Sequence, residues 1–483
     1  PEFATPETST VFDAKLAAWC LNPDSHDTAT LTSVEDLYVS GPNTAPLSAC
    51  IVEQFKNDLR RCEQIAVVLN EQLSSTDLFE PYCSVELPTS ILLSVMEVRG
   101  VEFRADNLSS ERQALVETLA SIEKRSIELA GESFNVASPE QCGTILFERL
   151  ELPGGKKTAG GGRFSSGEEE LRRLSTLHPL PMLLLDHRRL SKLLSMLDSL
   201  AAHAAGPDGQ GQMLNPIWLQ LGTGTGRLSC SEPNLQNLHK APVIVSDHLQ
   251  LSTRQGIQPR LAGWSIVSLD FCQLELRVLA HLCQDSHLIS LLGFDDAFLH
   301  IAGKFFGRSP QQVTPKQRAT AKTCSYAVIY GSGIQLIAKQ LDISINEASQ
   351  AKQKFESTFP GIGAWKASSL VDARLHGCVR TLCGRLRRID KINSRDVRER
   401  AEAERKAINA CVQGSAADLT KLSMIGVDKM ISEVVESRPK LILQVHDELV
   451  YEVKNDQIAK FAAHAAKIMC HCYQELSVPL QVS

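Results

Sequence analysis

The chain has 483 residues, of which 43% are hydrophobic and 22% charged, and its formal net charge is −6 at pH 7. This length exceeds one ordinary hydrophobic core, so we expect two or more domains. The composition is globular and predicts no membrane partner, because no apolar run is long enough for a membrane helix and no secretory signal stands at the start. The acidic balance does not by itself favour nucleic-acid binding.

The 14 cysteines are scattered without a paired spacing. This pattern indicates reduced thiols in a cytosolic or nuclear protein rather than a disulfide framework. Cys470-His-Cys472 is a candidate metal motif, but it has no second paired half, so a structural zinc site is not favoured. Pro1-Glu-Phe3 is typical of a cloning scar, which leaves the native targeting signals open.

Three stretches before residue 140 have local helix signals. Residues 51–73 and Ser109–Ala130 have helical spacing, and residues 134–139 form a turn into a further helix. A glycine-rich loop follows at 154–162. Its Lys156, Lys157 and Thr158 suit approach to a phosphate backbone, with a flexible linker as the alternative.

Residues 225–237 carry polar side chains suited to DNA. Arg227, Gln236 and Asn237 can donate hydrogen bonds to the minor-groove acceptors that all base pairs share. Such contacts would sense the shape of a base pair without reading its sequence.

Residues 265–269 are predicted to form a short buried strand with Asp270 at its end, and residues 271–281 then turn helical. The next candidate is the helix 318–330, which Gly331 stops. Its polar face carries four side chains at four-residue spacing, two cations followed by two aromatic rings. Charges for phosphates and rings for base and sugar suit a nucleoside triphosphate, with a solvated basic stripe running into core aromatics as the alternative. These side chains are Arg318, Lys322, Tyr326 and Tyr330.

The segment 374–406 is dense in arginine and predicts a basic groove in spite of the net charge, although a charge run is more often a solvated face. Its arginines include Arg380, Arg385, Arg387, Arg388, Arg395, Arg398, Arg400 and Arg405. A helix is predicted over 403–418, with Arg405, Asn409 and Gln413 on one face.

Residues 441–453 contain two apolar runs that flank His446, Asp447 and Glu448, which predicts a hairpin with two adjacent carboxylates at its tip. A solvated turn is the alternative. Crowded carboxylates raise one another's pKa, and a divalent cation removes that cost. If Asp270 faces this tip, the acids can hold two metal ions about 4 Å apart for phosphoryl transfer.

The strand with Asp270, the helix 318–330 and the hairpin resemble motifs A, B and C of the family A DNA polymerases, the bacterial DNA polymerase I-like enzymes. The resemblance runs from about residue 11 to the end, and Thr381-Leu-Cys-Gly-Arg385 resembles the family's Leu-x-Gly-Arg segment. It implies an α/β and α+β multidomain protein. The fold would be a right-hand polymerase with an antiparallel palm sheet, helical fingers and thumb, and a partial, vestigial exonuclease-like α/β domain.

The resemblance also implies domain limits. A partial exonuclease-like domain would occupy 1–90, followed by the palm start and thumb over 91–215. Palm with motif A would occupy 216–285, fingers with the motif B helix 286–400, and palm with motif C 401–483.

The resemblance implies a DNA-directed DNA polymerase that acts on primer-template DNA and dNTPs with two Mg²⁺ ions, for which Mn²⁺ can substitute. The implied metal ligands are Asp270, Asp447 and the Phe271 carbonyl, with Glu448 secondary and Lys322 as a proton donor to the leaving pyrophosphate. Glu275 is implied as a steric gate against a ribose 2′-hydroxyl. The implied dNTP-binding residues are Gln273, Glu275, Phe298, Arg318, Lys322, Tyr326 and Tyr330. The implied primer and template residues are Lys156, Lys157, Thr158, Arg227, Gln236, Asn237, Arg254, Arg405, Asn409, Gln413 and His446.

Proofreading is not expected. Residues 11–24 resemble the second motif of the family's exonuclease, with Asp13 at its acidic position. The earlier acid pair of that nuclease is missing, and 51–73 contains no Tyr for its third motif. We therefore expect a structural relic packed beside the polymerase.

Two positions depart from the bacterial members. Phe298-Leu299 stands where they have His-Arg, so a phosphate donor is lost while Phe298 can still pack on the nucleotide. Tyr326 stands where many have Phe, a difference that the family links with acceptance of dideoxynucleotides.

Short motifs at 19–25, 164–166, 177–181 and 214–216 look most like polymerase theta, with polymerase nu next. This branch implies DNA repair by end joining or lesion bypass, a nuclear or mitochondrial location, and a helicase-like domain outside this fragment. The insertions of theta enzymes are absent here, so end joining is a hypothesis. The alternatives are a polymerase nu-like or other repair polymerase, an RNA polymerase or reverse transcriptase on the same palm, and a non-catalytic DNA-bridging protein.

Overall fold

The computed structural model describes residues 13–21, 23, 51–154, 164, 166–205, 212–238, 240, 242–246, 249–433 and 437–483. The chain divides into two compact units. The larger unit comprises 1–99, 218–231 and 263–483, and the smaller unit comprises 100–217 and 232–262. None of the described helices combines the length and apolar character needed to cross a bilayer.

The described α-helices are numbered in chain order. They are α1 (Ala14–Leu21), α2 (Ile51–Ser75), α3 (Phe79–Pro81), α4 (Leu87–Arg99), α5 (Ser109–Ala130), α6 (Pro139–Thr144), α7 (Glu168–Leu174), α8 (Leu180–Ala205), α9 (Leu274–Cys283), α10 (Ser286–Leu291), α11 (Ala297–Phe306), α12 (Pro315–Ile329), α13 (Ile334–Leu341), α14 (Ile345–Thr358), α15 (Pro360–His376), α16 (Val397–Ser432) and α17 (Ile458–Cys470). One wide helical turn, Tyr82–Glu86, joins α3 to α4.

The described strands are β1 (Val101–Glu102), β2 (Met213–Leu214), β3 (Ile217–Leu219), β4 (Ser229–Ser231), β5 (Val243–Ser246), β6 (Leu249–Leu251), β7 (Trp264–Asp270), β8 (Cys378–Arg380), β9 (Leu386–Arg388), β10 (Lys440–Val445) and β11 (Glu448–Lys454). The strands β7, β10 and β11 form a three-stranded sheet in the order β10-β11-β7, and the others pair as two-stranded sheets.

The three-stranded sheet is antiparallel and lies in the larger unit. The hairpin β10–β11 pairs Val445 with Glu448, and β11 pairs Glu448 with Asp270 of β7. The predicted strand and the predicted hairpin are both confirmed, and they are neighbours. The central strand β11 is buried over Glu448–Val453, as expected for a strand covered on both faces.

The last residues of the chain run beside the end of β7. The amide of Asp270 donates to the Ser483 carbonyl at 3.0 Å, and the amide of Ser483 donates back at 2.9 Å. Cys272 donates to the Gln481 carbonyl at 2.9 Å. The backbone around Asp270 is therefore hydrogen-bonded to β11 on one side and to this segment on the other.

The helix α12 has strong local signals at its start. Thr314 and Gln317 form a reciprocal capping box, and Pro315 occupies the first turn, where its missing amide costs nothing. The helix ends at Ile329, and Gly331 follows in the left-handed conformation at φ +61°. The sequence predicted this helix and its stop.

The helix α16 has 36 residues, more than twice the predicted span of 403–418. The Asp396 carboxylate caps it by accepting from the amides of Arg398 and Glu399. Its buried face is rich in small residues, which lets neighbouring segments approach closely; these include Ala403, Ala407, Ala410, Gly414, Ala416 and Ala417.

Only part of the expected exonuclease-like α/β region is described. Over 13–21, 23 and 51–90, the described residues contain helices and no strand. Trp19 and Tyr82 are both buried, with 1% of their surface exposed, in one core with α2. This region belongs to the same compact unit as the three-stranded sheet.

The smaller unit contains the long helices α5 and α8, which pack against each other, and it has a hydrophobic core of its own. The helix α5 spans Ser109–Ala130 as predicted and ends at Gly131, which is left-handed at φ +73°. Of the glycine-rich loop 154–162 only Gly154 is described, and Lys156, Lys157 and Thr158 lie outside the described residues.

Candidate active site

Three carboxylates meet where β7 and β11 pair. Asp270 is the last residue of β7, and Glu448 opposite it is the first residue of β11. Asp447 precedes Glu448 in the turn, and its carbonyl accepts from the Phe271 amide at 3.2 Å. His446 makes the two-residue turn possible by adopting φ +56°, and its side chain is exposed.

The environment of Asp447 penalises its charge. Burial raises the pKa of Asp447 to about 6; Arg227 opposes the shift, and the carboxylates of Glu275 and Asp270 add to it. A cation bound between Asp270 and Asp447 would relieve this repulsion. The donor set therefore fits a divalent metal.

The number of protein ligands suits Mg²⁺. Among the described ranges, no group of three or more His, Cys, Asp or Glu side chains is arranged to hold a metal by itself. Magnesium is commonly bound by one or two carboxylates, with waters and substrate phosphates as the remaining ligands. Asp270 and Asp447 are the fitting pair, because Glu448 is buried and accepts a hydrogen bond from the Ser268 hydroxyl.

Glu275 lies in the first turn of α9 with 4% of its surface exposed. Its carboxylate accepts hydrogen bonds from the Tyr330 hydroxyl and from the Arg227 guanidinium. Burial and the bond to Glu275 raise the pKa of Tyr330. Glu275 thus joins the strand–helix corner after Asp270 to the end of α12.

The polar face of α12 carries the four predicted side chains. Tyr326 and Tyr330 are nearly parallel at 13°, with ring centres 6.0 Å apart. Burial raises the pKa of Tyr326 to about 12, and the charges of Glu275 and Asp447 add to the shift. This face of α12 is therefore next to the carboxylates.

The two cations of this face lie over Phe298. The guanidinium carbon of Arg318 is 5.9 Å and the Lys322 nitrogen 5.8 Å from its ring centre. Phe298 itself is 3% exposed, so its ring supports these side chains from beneath. Arg318 also forms an ion pair with Asp296 at 2.9 Å, the cap of α11.

Two buried amide side chains have oxygen atoms that lack a hydrogen-bond donor among the described residues. The Gln273 Oε1 and Asn409 Oδ1 atoms are buried and accept no hydrogen bond from the described part of the chain. Gln273 caps α9 in a left-handed conformation at φ +52°. Arg405 passes beside Gly331, where a Cβ would lie 2.9 Å from the Arg405 Cγ, and Gln413 is half-buried. Arg405, Asn409 and Gln413 share the predicted helix.

The remaining predicted DNA-contacting residues lie in the smaller unit. Gln236 and Asn237 belong to the helical turn Leu235–Asn237, and Arg254 to the turn Thr253–Gly256. Asn237 is exposed, while Gln236 and Arg254 are half-buried.

The prediction that the arginine-rich stretch lines a groove is wrong for Arg385. Its side chain is 2% exposed and donates to the Asp418 carboxylate at 2.8 and 3.0 Å. A buried guanidinium needs such partners, and Asp418 lies on the small-residue face of α16. Elsewhere the stretch does form surface pairs, such as Arg374 with Glu404.

Sequence reasoning also missed Arg277. It is fully buried and donates to the carbonyls of Cys272, Leu292 and Pro479 and to Gln481, which fixes α9 to the C-terminal segment. A single cation in the apolar run Leu276–Leu279 was the available signal. Burial lowers the pKa of Arg277.

Comparisons with known proteins agree with this geometry. The family model described as DNA polymerase family A matches residues 105–483. The DNA polymerase I of Bacillus subtilis (strain 168) is 32% identical over 98% of this chain and 54% of its own length. The thermostable DNA polymerase I of Thermus thermophilus is 36% identical over 83% of this chain and 47% of its own length. The chain spans about half the length of these curated relatives.

One solved structure is similar over nearly the whole chain. It is described as the POL domain of Pol1 from M. smegmatis in complex with DNA primer-template and dNTP. It covers 98% of this chain and 80% of its own, with 29% identity and a TM-score of 0.85. The predicted fold class is confirmed by this similarity.

Proposed function

The chain belongs to DNA polymerase family A, and we propose that it adds deoxynucleotides to the 3′-hydroxyl of a primer as directed by a DNA template. The observation that carries this proposal is the pairing of β7 with β11. It brings Asp270 and Asp447 together beside the face of α12 that carries Lys322 and Tyr326. Carboxylates for metals, cations for phosphates and rings for a base are the parts that nucleotidyl transfer requires.

Asp270 and Asp447 would hold two Mg²⁺ ions, with Mn²⁺ as a substitute and the Phe271 carbonyl as a further ligand. When bound, the metals supply activation of the attacking 3′-hydroxyl and stabilisation of the charge that develops on the phosphoryl oxygens. Burial, together with the charges of Glu275 and Asp270, raises the pKa of Asp447, and this environment favours a bound divalent cation over two unshielded carboxylates.

The protein's own cations would bind the triphosphate. Lys322 is exposed at the middle of α12, and Arg318 lies one turn before it. Phosphate oxygens would take Arg318 from Asp296, which now holds it at 2.9 Å. Lys322 is the proposed proton donor to the leaving pyrophosphate.

Glu275 would select the sugar. Its carboxylate is held from two sides by Tyr330 and Arg227, so it cannot swing away to admit a 2′-hydroxyl. A fixed carboxylate rejects ribose through the steric and desolvation cost of the extra oxygen. This is why deoxynucleotides are the proposed substrates rather than ribonucleotides.

Primer extension on a defined template tests the proposal. The chain should add only the nucleotide complementary to each template base, stop when EDTA removes Mg²⁺, and prefer dNTPs over rNTPs. Efficient use of rNTPs would instead support an RNA polymerase, and extension on RNA templates a reverse transcriptase. Tight duplex binding with no extension would support the DNA-bridging alternative.

We further propose the theta or nu branch, with end joining or lesion bypass in DNA repair as its role. The support is the set of short motifs around Trp19, Phe164, Leu177 and Leu214, together with Tyr326. The relatives named above are bacterial polymerases I, so this finer assignment depends on those motifs alone. A nuclear or mitochondrial location and a helicase-like domain outside these residues belong to the same proposal.

A joining assay tests the branch. Two DNA ends with short 3′ microhomologies should give a joined product, while ends without microhomology should not. If the chain extends primers but joins neither pair, the end-joining role is excluded.

We also propose that the chain does not proofread. Asp13 accepts from the Leu16 amide at 3.0 Å, as the cap of α1, and α2 contains no tyrosine. A labelled primer with a mismatched 3′ end should therefore keep its length when incubated with Mg²⁺ and no dNTP. Shortening of that primer would contradict this proposal.

A further inference from the structure

The larger unit contains a buried ionic cluster. We define the ionic cluster as Glu86, Arg385, Asp418 and Lys421, whose side chains are at most 3% exposed. Lys421 donates to both Glu86 oxygens at 2.7 Å, and Arg385 donates to Asp418. Burial acts to raise the pKa of Glu86, but Lys421 and Arg385 outweigh it and hold the pKa below its usual value.

The ionic cluster holds the β3–β4 connection, residues 220–228, at two points. Gln220 at its start donates to the Glu86 carboxylate at 2.6 Å and to the Glu86 carbonyl at 2.9 Å. Arg385 donates to the Thr225 carbonyl at 2.7 Å and to the Gly414 carbonyl at 3.1 Å. One guanidinium therefore links α16, through Asp418 and Gly414, to the connection.

The β3–β4 connection carries Arg227. The Gly226 amide donates to the Thr223 carbonyl at 3.1 Å, and the Thr223 hydroxyl donates to the Arg227 carbonyl at 2.7 Å. These bonds make 223–227 a tight turn. From this turn the Arg227 side chain reaches the Glu275 carboxylate, and its charge opposes the raised pKa of Asp447.

Two glycines show how closely the parts fit. A Cβ on Gly226 would lie 2.4 Å from the Arg385 guanidinium carbon, and Gly226 also has φ +78°. A Cβ on Gly414 would lie 2.6 Å from the Thr381 Cγ2 and 3.3 Å from the Arg385 Nη2. Only residues without a side chain allow Arg385 to reach both carbonyls.

We propose that Arg385 is a positioning residue for sugar selection: by fixing the β3–β4 connection it holds Arg227 against Glu275. This inference deepens the proposed function and rests on it for its catalytic consequence. Arg385 touches none of the reacting atoms. It acts through Arg227, and Glu86 with Lys421 keeps its buried charge compensated.

The chemistry of the cluster favours positioning over plain stabilisation. A buried ion pair recovers little net stability, because the desolvation of both charges offsets their attraction. Arginine, unlike an apolar side chain, offers several donors in a fixed fork, which can satisfy a carboxylate and two carbonyls at once. Such an arrangement specifies one backbone geometry.

The N-terminal helices take part in this arrangement. Glu86 comes from the turn before α4, and the Trp19 ring of α1 lies 5.8 Å from both the Arg385 guanidinium carbon and the Lys421 nitrogen. The region expected to be a relic therefore supplies Glu86 as the counter-ion of both Arg385 and Lys421. Its helices are part of the support of the active site.

The first arm of the test measures amide hydrogen exchange in the whole chain. Arg385→Lys keeps the positive charge but loses the forked donors of the guanidinium. Amide exchange at 223–228 should therefore become about tenfold faster, which corresponds to the loss of one or two hydrogen bonds. Arg188→Lys is the matched control, because Arg188 donates to the Ser166 carbonyl at 2.6 Å in the smaller unit. Unchanged exchange at 223–228 in Arg385→Lys would overturn the proposal.

The second arm measures the ratio of kcat/KM for dNTP to that for rNTP. Arg385→Lys and Arg227→Ala should each lower this ratio about tenfold, because the loss of one good hydrogen bond to a charged group has an effect of that size. The double variant should be no worse than Arg227→Ala alone, because both act through one contact. If the two substitutions lower the ratio by multiplying factors in the double variant, the proposal is overturned. It is also overturned if Arg385→Lys lowers the Tm but leaves the ratio unchanged.

If Arg385→Lys does not fold, a second variant, Glu86→Gln, tests the same proposal. Glu86→Gln preserves shape and removes one charge, and it should loosen 223–228 and lower the ratio in the same direction by a smaller factor. If the wild-type chain extends no primer, the proposed function fails, and the exchange arm still decides the positioning claim.

Discussion

At the residue scale, Arg318, which we propose binds the triphosphate, is held by an ion pair with Asp296. The two side chains are 41% and 43% exposed, so their attraction is that of a surface ion pair. Asp296 also caps α11 by accepting from the Leu299 amide at 3.1 Å. In the proposed function, an incoming phosphate would have to displace this carboxylate before it binds Arg318.

We therefore predict that Asp296→Asn lowers the KM for dNTP. Asparagine caps a helix as well as aspartate does, so α11 should stay intact. Loss of a surface pair worth up to about 1 kcal/mol should lower KM up to about fivefold, with little change in kcat. Steady-state kinetics of single-nucleotide addition measures this.

Asp285→Asn is the matched control. Asp285 caps α10 by accepting from the Leu288 amide at 3.0 Å, and no arginine pairs with it among the described residues. It should leave the KM for dNTP as it is. A KM that rises in Asp296→Asn would mean that the carboxylate positions Arg318 rather than competing for it.

Sequence reasoning located the residues whose partners are close in the chain or fixed by a motif. The spacing of Lys322 and Tyr326 follows from helix geometry alone. Arg385 was misplaced because its partners lie far along the chain, with Thr225 160 residues away. Glu86 and Lys421, which are 335 residues apart, gave no local signal at all.

At the element scale, α16 connects the active site to the ionic cluster. Its length was underestimated because the predicted span covered only the polar residues and the small-residue stretch. The observed helix begins at the Asp396 cap and continues to Ser432. Arg385 and Thr381 approach this helix at Gly414, one of its two interior glycines.

We predict that Gly414→Ala destabilises the protein. Alanine in a helix interior normally gains about 1 kcal/mol over glycine. Here the new Cβ would meet the Thr381 Cγ2 at 2.6 Å, and overpacking of this kind costs about 1–3 kcal/mol. Chemical denaturation of both proteins measures the difference.

Gly363→Ala is the matched substitution in α15, where a Cβ would meet nothing within 4 Å. It should raise the free energy of unfolding by up to about 1 kcal/mol. Destabilisation by both variants would point to helix effects unrelated to the contact at Gly414.

At the scale of the whole molecule, metal binding and folding should be linked through Asp447. Its folded pKa of about 6 exceeds the ordinary value of 3.8. Between those values the folded state binds more protons than the unfolded state, so without metal the free energy of unfolding falls as pH rises from about 4 to about 6. Above about pH 6 the ionised carboxylates are crowded, and Mg²⁺ should relieve them.

We predict that Mg²⁺ raises the Tm at pH 7.5 and has little effect at pH 5, where protons occupy Asp447. At tenfold excess over its Kd, the metal should contribute about 1.4 kcal/mol, or about 2 °C in Tm. Scanning calorimetry at constant ionic strength measures this. In Asp447→Asn the increment at pH 7.5 should vanish, and an increment that persists would mean that Mg²⁺ binds elsewhere.

The fold class could be read from three motifs because their order and spacing belong to one family. The contacts of the N-terminal region could not, since the motif at 11–24 carries no information on the distant residues against which it packs. The packing of Trp19 and Glu86 against Arg385 and Lys421 joins that region to the rest of the larger unit, and such packing leaves no periodic pattern in the sequence.

The central claim is that Asp270 and Asp447 form the metal-dependent centre of a DNA polymerase. Primer extension with Mg²⁺ and dNTPs by the wild-type chain and by Asp447→Asn, with duplex affinity measured for both, tests it most directly. We predict extension by the wild type, loss of at least about 100-fold in kcat in the variant from removal of a metal ligand, and equal duplex affinity. Extension at an undiminished rate by Asp447→Asn would contradict the claim.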